Sequence, residues 1–228
     1  MNPLFQKTKT ILFDFGGTID SDGFAWKDRF YPLYKNADFK WSENEFCKYF
    51  YASDDYLNGK LKNVDFLGTI HQQVTLLLKN AGCYEKKIAR QVADKFIKDS
   101  MKNIKRNLSL IRRLSKIYKL GIVSNFYGNL PYIFKQAGLD RYFGAIIDSS
   151  NLGVIKPDPK IFKAALRPLK SNPKESVFVG DNLFRDMGGA KAMGMKHIWI
   201  KHKGSKKKPC CKNDIVIRSF LELENILL

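Results

Sequence analysis

Asp14 closes an apolar run, Ile11-Leu12-Phe13, and is followed after Phe15 by Gly16, Gly17 and Thr18. A carboxylate set among residues with almost no side chain can attack an electrophile or ligate a cation. The neighbouring glycine N–H groups can cradle an anion. Other reactive residues follow apolar runs in the same way. Ser124 and Asn125 end "GIVSN", Asp181 ends "VFVGD" with Asp186 five residues on, and Lys156 sits in "GVIKPDP". Carboxylates, a hydroxyl, an amide and a lysine together suit a divalent cation and an oxyanion. Hard Mg2+ prefers carboxylates, carbonyls and water, so Asp14 and Asp181 can hold it from two strands. Lys156 neutralises part of the remaining charge, and Ser124 and Asn125 can donate to a phosphoryl oxygen. The set predicts attack by Asp14 on phosphorus through an aspartyl-phosphate, with magnesium and Lys156 stabilising the transition state.

Convergence of these residues requires particular elements. Short apolar runs at 10–15, 120–124, 145–148, 176–180, 197–200 and 214–217 are bounded by glycine or polar residues and read as buried strands. Helical patterns at 107–119, 129–137, 159–169, 183–193 and 219–228 alternate with them. Strand–helix alternation predicts an α/β fold with a Rossmann-like parallel sheet covered on both faces. Ligands bind such sheets beyond the carboxyl ends of the strands, where each reactive residue above would emerge. The alternation fails between about 24 and 104. There Ser42 with Glu45 forms a capping-box pattern, and Leu67, Ile70, Val74, Leu77 and Ala81 have helical spacing, as do Ile88, Val92, Phe96 and Met101. The expected organisation is a core of residues 1–20 and 105–228 with an inserted all-helical cap of 21–104. Hinged at two points, the cap could act as a lid.

Composition narrows the partners. No apolar stretch reaches the ~18 residues of a membrane span. The first ten residues lack an apolar segment of signal-peptide length, so a cytoplasmic protein is expected. Four cysteines (Cys47, Cys83, Cys210 and Cys211) match no zinc spacing, and His71, His197 and His202 show no metal-ligand pattern. Net charge is +18, densest from Lys201 to Lys212, but that run has no aromatic side chain to stack on bases. It reads as a solvated loop, and a small anionic substrate is expected rather than nucleic acid. Trp26 and Trp41 read as core residues of the insertion.

"ILFDFGGTIDS", "GIVSN", "GVIKPDPKIF" and "VFVGDNLFRDMGGAKAMGM" resemble, in order and spacing, the four motifs of the haloacid dehalogenase superfamily. The insertion resembles that superfamily's helical cap, and "SNF" and "KPDPKIF" are similar to its capped, phosphatase-like members. The resemblance implies Asp14 as nucleophile, Lys156 as a catalytic and substrate-binding residue, and a magnesium cofactor. Its ligands would be Asp14, the Gly16 carbonyl, Asp181 and Asp186. Gly16, Gly17, Thr18, Ser124 and Asn125 would meet the phosphorylated substrate. One departure stands out. Family phosphatases carry a second Asp where this chain has Gly16. That Asp protonates the leaving alcohol and activates water, while its carbonyl ligates the metal. Losing a general acid/base costs ~10²–10⁴ in rate and matters least for good leaving groups such as acyl or aryl phosphates. Asp20 and Asp22 could replace it through a water, or could simply shape the turn. Three alternatives stay open: dehalogenation, which needs no proton on the leaving halide; phosphonate cleavage; and a ligand-binding or regulatory protein.

Overall fold

The computed structural model describes residues 2–209 and 214–228. Cys210, Cys211 and the end of the basic run lie outside the described residues. A single sheet of six parallel strands holds the site. Its strands are β1 (Thr10–Phe13), β2 (Lys119–Ser124), β3 (Ala145–Asp148), β4 (Ser176–Gly180), β5 (Lys196–Ile200) and β6 (Ile215–Ile217), in the order β3-β2-β1-β4-β5-β6. Every residue of β1 and β4 is buried, as expected for central strands covered on both faces. The register pairs Phe13 with Ile122 on one side and Val179 on the other. Asp14, one residue on, therefore emerges level with the ends of both neighbours.

β1 stops two residues short of the expected 15. Asp14 N–H still reaches Val179 O at 2.9 Å, but Gly17 has φ +87° and turns the chain away. Only glycine takes that conformation without strain. Four helices separate β1 from β2: α1 (Trp26–Lys35), α2 (Glu43–Leu57), α3 (Phe66–Asn80) and α4 (Lys86–Leu114). The Ser42–Glu45 capping box opens α2. Aromatic residues bind these helices together, with Phe30 of α1 and Phe96 of α4 stacked at 3.9 Å. The expected boundary at 104/105 falls inside α4, which runs unbroken for 29 residues. Its second half buries Leu110 and Ile111 in the same core as the strand residues, and Asn107 Nδ2 donates to Ile19 O at 2.9 Å. The helix expected to begin at 107 is thus the end of a longer one.

The remaining helices are α5 (Leu130–Gln136), α6 (Ser149–Leu152), α7 (Pro159–Leu166), α8 (Gly189–Ala192) and α9 (Leu223–Leu227). The helix expected at 183–193 is present, its first part, Leu183–Gly188, wound as a wider π-helical turn that runs into α8. The turn gives Asp186 its inward position. No helix among the described residues is long and apolar enough to cross a membrane.

Candidate active site

The sheet brings Asp14, Ser124, Lys156, Asp181 and Asp186 to one place. Asp14 Oδ1 takes two contacts, Ser124 Oγ donating at 2.7 Å and Lys156 Nζ at 2.7 Å. Oδ2 has no partner among the described residues. The same ammonium lies 2.7 Å from Asp186 Oδ1, and Asn182 N–H donates to Asp186 Oδ2 at 2.9 Å. Lys156 is itself buried, 2% exposed. Burial alone would lower its ammonium, but Asp14 and Asp186 outweigh it and raise it above the ordinary lysine range. Asn125 positions this lysine: its Oδ1 accepts Lys156 N–H at 2.8 Å and its Nδ2 donates to Lys156 O at 3.3 Å.

Asp14, Asp181 and Asp186 each offer an oxygen within 4.8 Å of the others. Burial, then repulsion from Asp186 and Asp14, pushes the Asp181 carboxyl well above the usual carboxylate range. Burial also raises Asp186 against the pull of Lys156. Three carboxylates share one lysine, so the pocket has the donor chemistry and the surplus negative charge of a hard-cation site. Thr18 Oγ1 donates to Asp181 Oδ1 at 3.5 Å, and a Cβ on Gly17 would lie 2.7 Å from Asp181 Oδ2. The carboxylate and the loop backbone thus approach as closely as glycine permits.

Beside Gly16 stands a side chain that the sequence reading placed only in the core. A Cβ at Gly16 would lie 3.1 Å from Nε1 of Trp26, the first residue of α1. Trp26 is 9% exposed and packs edge-on against Phe96 and Phe126. Its indole N–H donates to Asp20 Oδ2 at 2.8 Å. Asp20 is wholly buried and also accepts from Gly17 N–H at 2.7 Å, Arg29 Nη1 at 2.7 Å and Ser100 Oγ at 3.2 Å. Asp22 accepts from Arg106 Nη2 at 2.8 Å and from Phe220 N–H at 2.8 Å. Both loop aspartates hold the polypeptide together, so neither takes the role left open at Gly16. No spacing rule could have linked Asp20 to Arg29 and Ser100, because the partners lie 9 and 80 residues away.

A second polar group joins the insertion to the sheet. Tyr127 Oη, three residues after Ser124, donates to Asp54 Oδ1 of α2, and Gln73 Nε2 donates to the same oxygen at 2.9 Å. Burial pushes Asp54 up to about 7, against the lowering effect of Tyr127. A cavity of about 340 Å3 opens beside Asp181, lined also by Phe24, Asp28, His202 and Lys207. Phe24 and His202 stack there at 4.0 Å. His71 and His197 pair with Asp94 and Asp214 instead, away from any cluster of metal-ligand residues among the described residues.

Residues 8–194 match the family model of haloacid dehalogenase-like hydrolases. The chain belongs to that family. The family relation agrees with the expected Rossmann-like α/β fold. It is 47% identical over 97 residues to a glyceraldehyde 3-phosphate phosphatase from Pyrococcus furiosus, an alignment covering 41% of this chain and 40% of that relative. The match therefore spans about two fifths of the relative's length. The fold is similar to that of a HAD phosphatase from Thermococcus onnurineus, with TM-score 0.55, 25% identity, and 96% and 98% of the two chains covered. A 2-haloacid dehalogenase from Pseudomonas syringae pv. Tomato gives TM-score 0.51 at 22% identity with the same coverage. Phosphatase-named and dehalogenase-named members thus share this hydrolase's frame.

Proposed function

We propose that this hydrolase is a magnesium-dependent phosphatase acting on a small phosphorylated metabolite, with Asp14 as nucleophile. The observation that carries the reading is the convergence of Asp14, Asp181, Asp186 and Lys156, with Lys156 and Ser124 both held on Oδ1 of Asp14 so that its other oxygen is left to attack. Asp14, Asp181, Asp186 and the Gly16 carbonyl would hold the cation. When bound, magnesium supplies positive charge against the phosphoryl oxygens. Lys156 and Ser124 fix the attacking carboxylate and can turn to the phosphoryl group as charge develops. The Gly16 N–H and the Asn125 amide complete the cradle, whereas the Gly17 N–H expected there is donated to Asp20 at 2.7 Å. Asp14 attacks phosphorus, the leaving group departs with its electron pair, and water then releases phosphate and restores the carboxylate. The cavity beside Asp181 accommodates the rest of the substrate. The helical insertion closes over the site as a cap, with residues 21–104 as its extent. The curated relative's name supports a phosphorylated substrate.

Carbon–halogen hydrolysis is the second reading, favoured by Trp26. An aromatic side chain covers Gly16, and a halide departs without a proton. The carboxylate cluster favours the first. A panel of phosphate esters and 2-halo acids, assayed with and without magnesium, separates the two. Phosphate release that needs the metal and is lost in Asp14→Asn supports the phosphatase. Halide release indifferent to the metal supports the alternative, and release of neither product overturns both.

A further inference from the structure

The side chain missing at position 16 would act twice in phosphate-ester hydrolysis, on the leaving oxygen and on the attacking water. Trp26 occupies the space in which a replacement could stand, and its one N–H is already committed to Asp20. Asp20 is enclosed by four donors and Asp22 is tied to Arg106 and Phe220, so the loop holds no further carboxylate free to move a proton. We propose that Trp26 makes this chain a slow-release phosphoenzyme: Asp14 is phosphorylated rapidly by compounds with good leaving groups and then keeps the phosphoryl group. The inference rests on the phosphatase reading above.

The two half-reactions differ in their need for proton transfer. In the first, Asp14 Oδ2 bonds to phosphorus as the bond from phosphorus to the leaving oxygen breaks. An acyl or aryl phosphate expels a carboxylate or phenolate that needs no proton. In the second, water bonds to phosphorus, the bond from phosphorus to Asp14 breaks, and the water's proton must pass to solvent. Lack of a positioned base costs that step ~10²–10⁴. The first step outruns the second, and the acyl phosphate at Asp14 accumulates. The substrate class follows: acyl phosphates and aryl phosphates rather than simple alkyl esters.

The full chain is mixed with magnesium and p-nitrophenyl phosphate, or with acetyl phosphate, and quenched in acid. Expected are a burst of about one nitrophenolate per chain, slow turnover afterwards, and an 80 Da adduct in the intact mass that peptide mapping places on Asp14. Asp14→Asn shows none of these. Linear release from the first turnover with no adduct, abolished in Asp14→Asn, overturns the inference and leaves the phosphatase reading standing. Absence of both release and adduct overturns the two together. A second variant tests the cause. Trp26→Ala vacates the space, and Gly16→Asp with Trp26→Ala supplies the carboxylate. If that double variant folds, judged by circular dichroism, it should lose the burst and raise steady turnover at least tenfold over Trp26→Ala alone. A burst unchanged by the double variant overturns the role given to Trp26.

Discussion

Lys156 is the residue on which the electrostatics of the site turn. It lies between Asp14 and Asp186, buried, with Asp181 close by. Removing one member of a buried ion pair leaves uncompensated charge and costs about 3–5 kcal/mol. Lys156→Met should lose that much in urea unfolding near neutral pH, and added magnesium should restore part of it. Gly16→Asp alone should be destabilised by about 1–3 kcal/mol and gain little activity, because the new side chain meets the Trp26 indole before it meets solvent. Asp14, Ser124 and Asp181 were legible because each ends an apolar run and the parallel sheet delivers such residues to one edge, while Lys156 and Asp186, set in a loop and a turn, were legible from the motifs that hold them. Trp26 was half legible. Its type marked it as a core residue of the insertion, but burial against Gly16 depends on how α1 docks, which no local pattern records.

The loop 20–25 and α4 are the elements that join insertion and sheet, and here local reading fell short. Asp20 and Asp22 were legible as acidic turn residues but not as clasps, because their partners come from α1, α4 and the C-terminal segment. Asp20→Asn takes the buried carboxylate from Arg29 and leaves the half-exposed Asp99 as its charged partner. It should cost about 3 kcal/mol or more and increase proteolytic cutting between 20 and 26, read as peptide masses over time. Asp54 joins α2 to the segment after β2 and yields a pH dependence. Facing it are Tyr127, Gln73, Asp55 and Arg185. Its folded value, about 7, lies above the ordinary 3.8, so the native carboxyl keeps a proton that the unfolded chain has already lost. Its contribution to stability is complete below about pH 4 and declines as pH rises through about 7. Asp54→Asn keeps the oxygen that Tyr127 needs and removes the titration. The stability difference between variant and wild type should grow by a few kcal/mol at most from pH 4 to pH 8, at ~1.4 kcal/mol per unit.

At the scale of the molecule, a cation should act as a staple across the ends of β1 and β4. A ligand bound at ten times its Kd adds about 1.4 kcal/mol, or roughly 3–6 °C for a chain of this size. Magnesium should raise the unfolding temperature by that order in the wild type and leave Asp181→Asn unmoved in differential scanning fluorimetry. The charge of +18 was readable from composition, but where it gathers was not. Lys207 reaches the cavity beside Asp181, while Lys156 is enclosed among carboxylates, and composition counts both alike. α4, at 1.5 Å per residue, is a rod of about 43 Å with one end against the turn after β1 and the C-terminal segment and the other among α1 and α3. If the insertion expected at residues 21–104 moves as a lid, α4 makes one of its two connections a stiff arm. Its far end cannot swing without tilting the near end, so substrate arriving under the helices would be felt as a small rotation beneath β1, and a glycine pair set midway along the arm should uncouple the two.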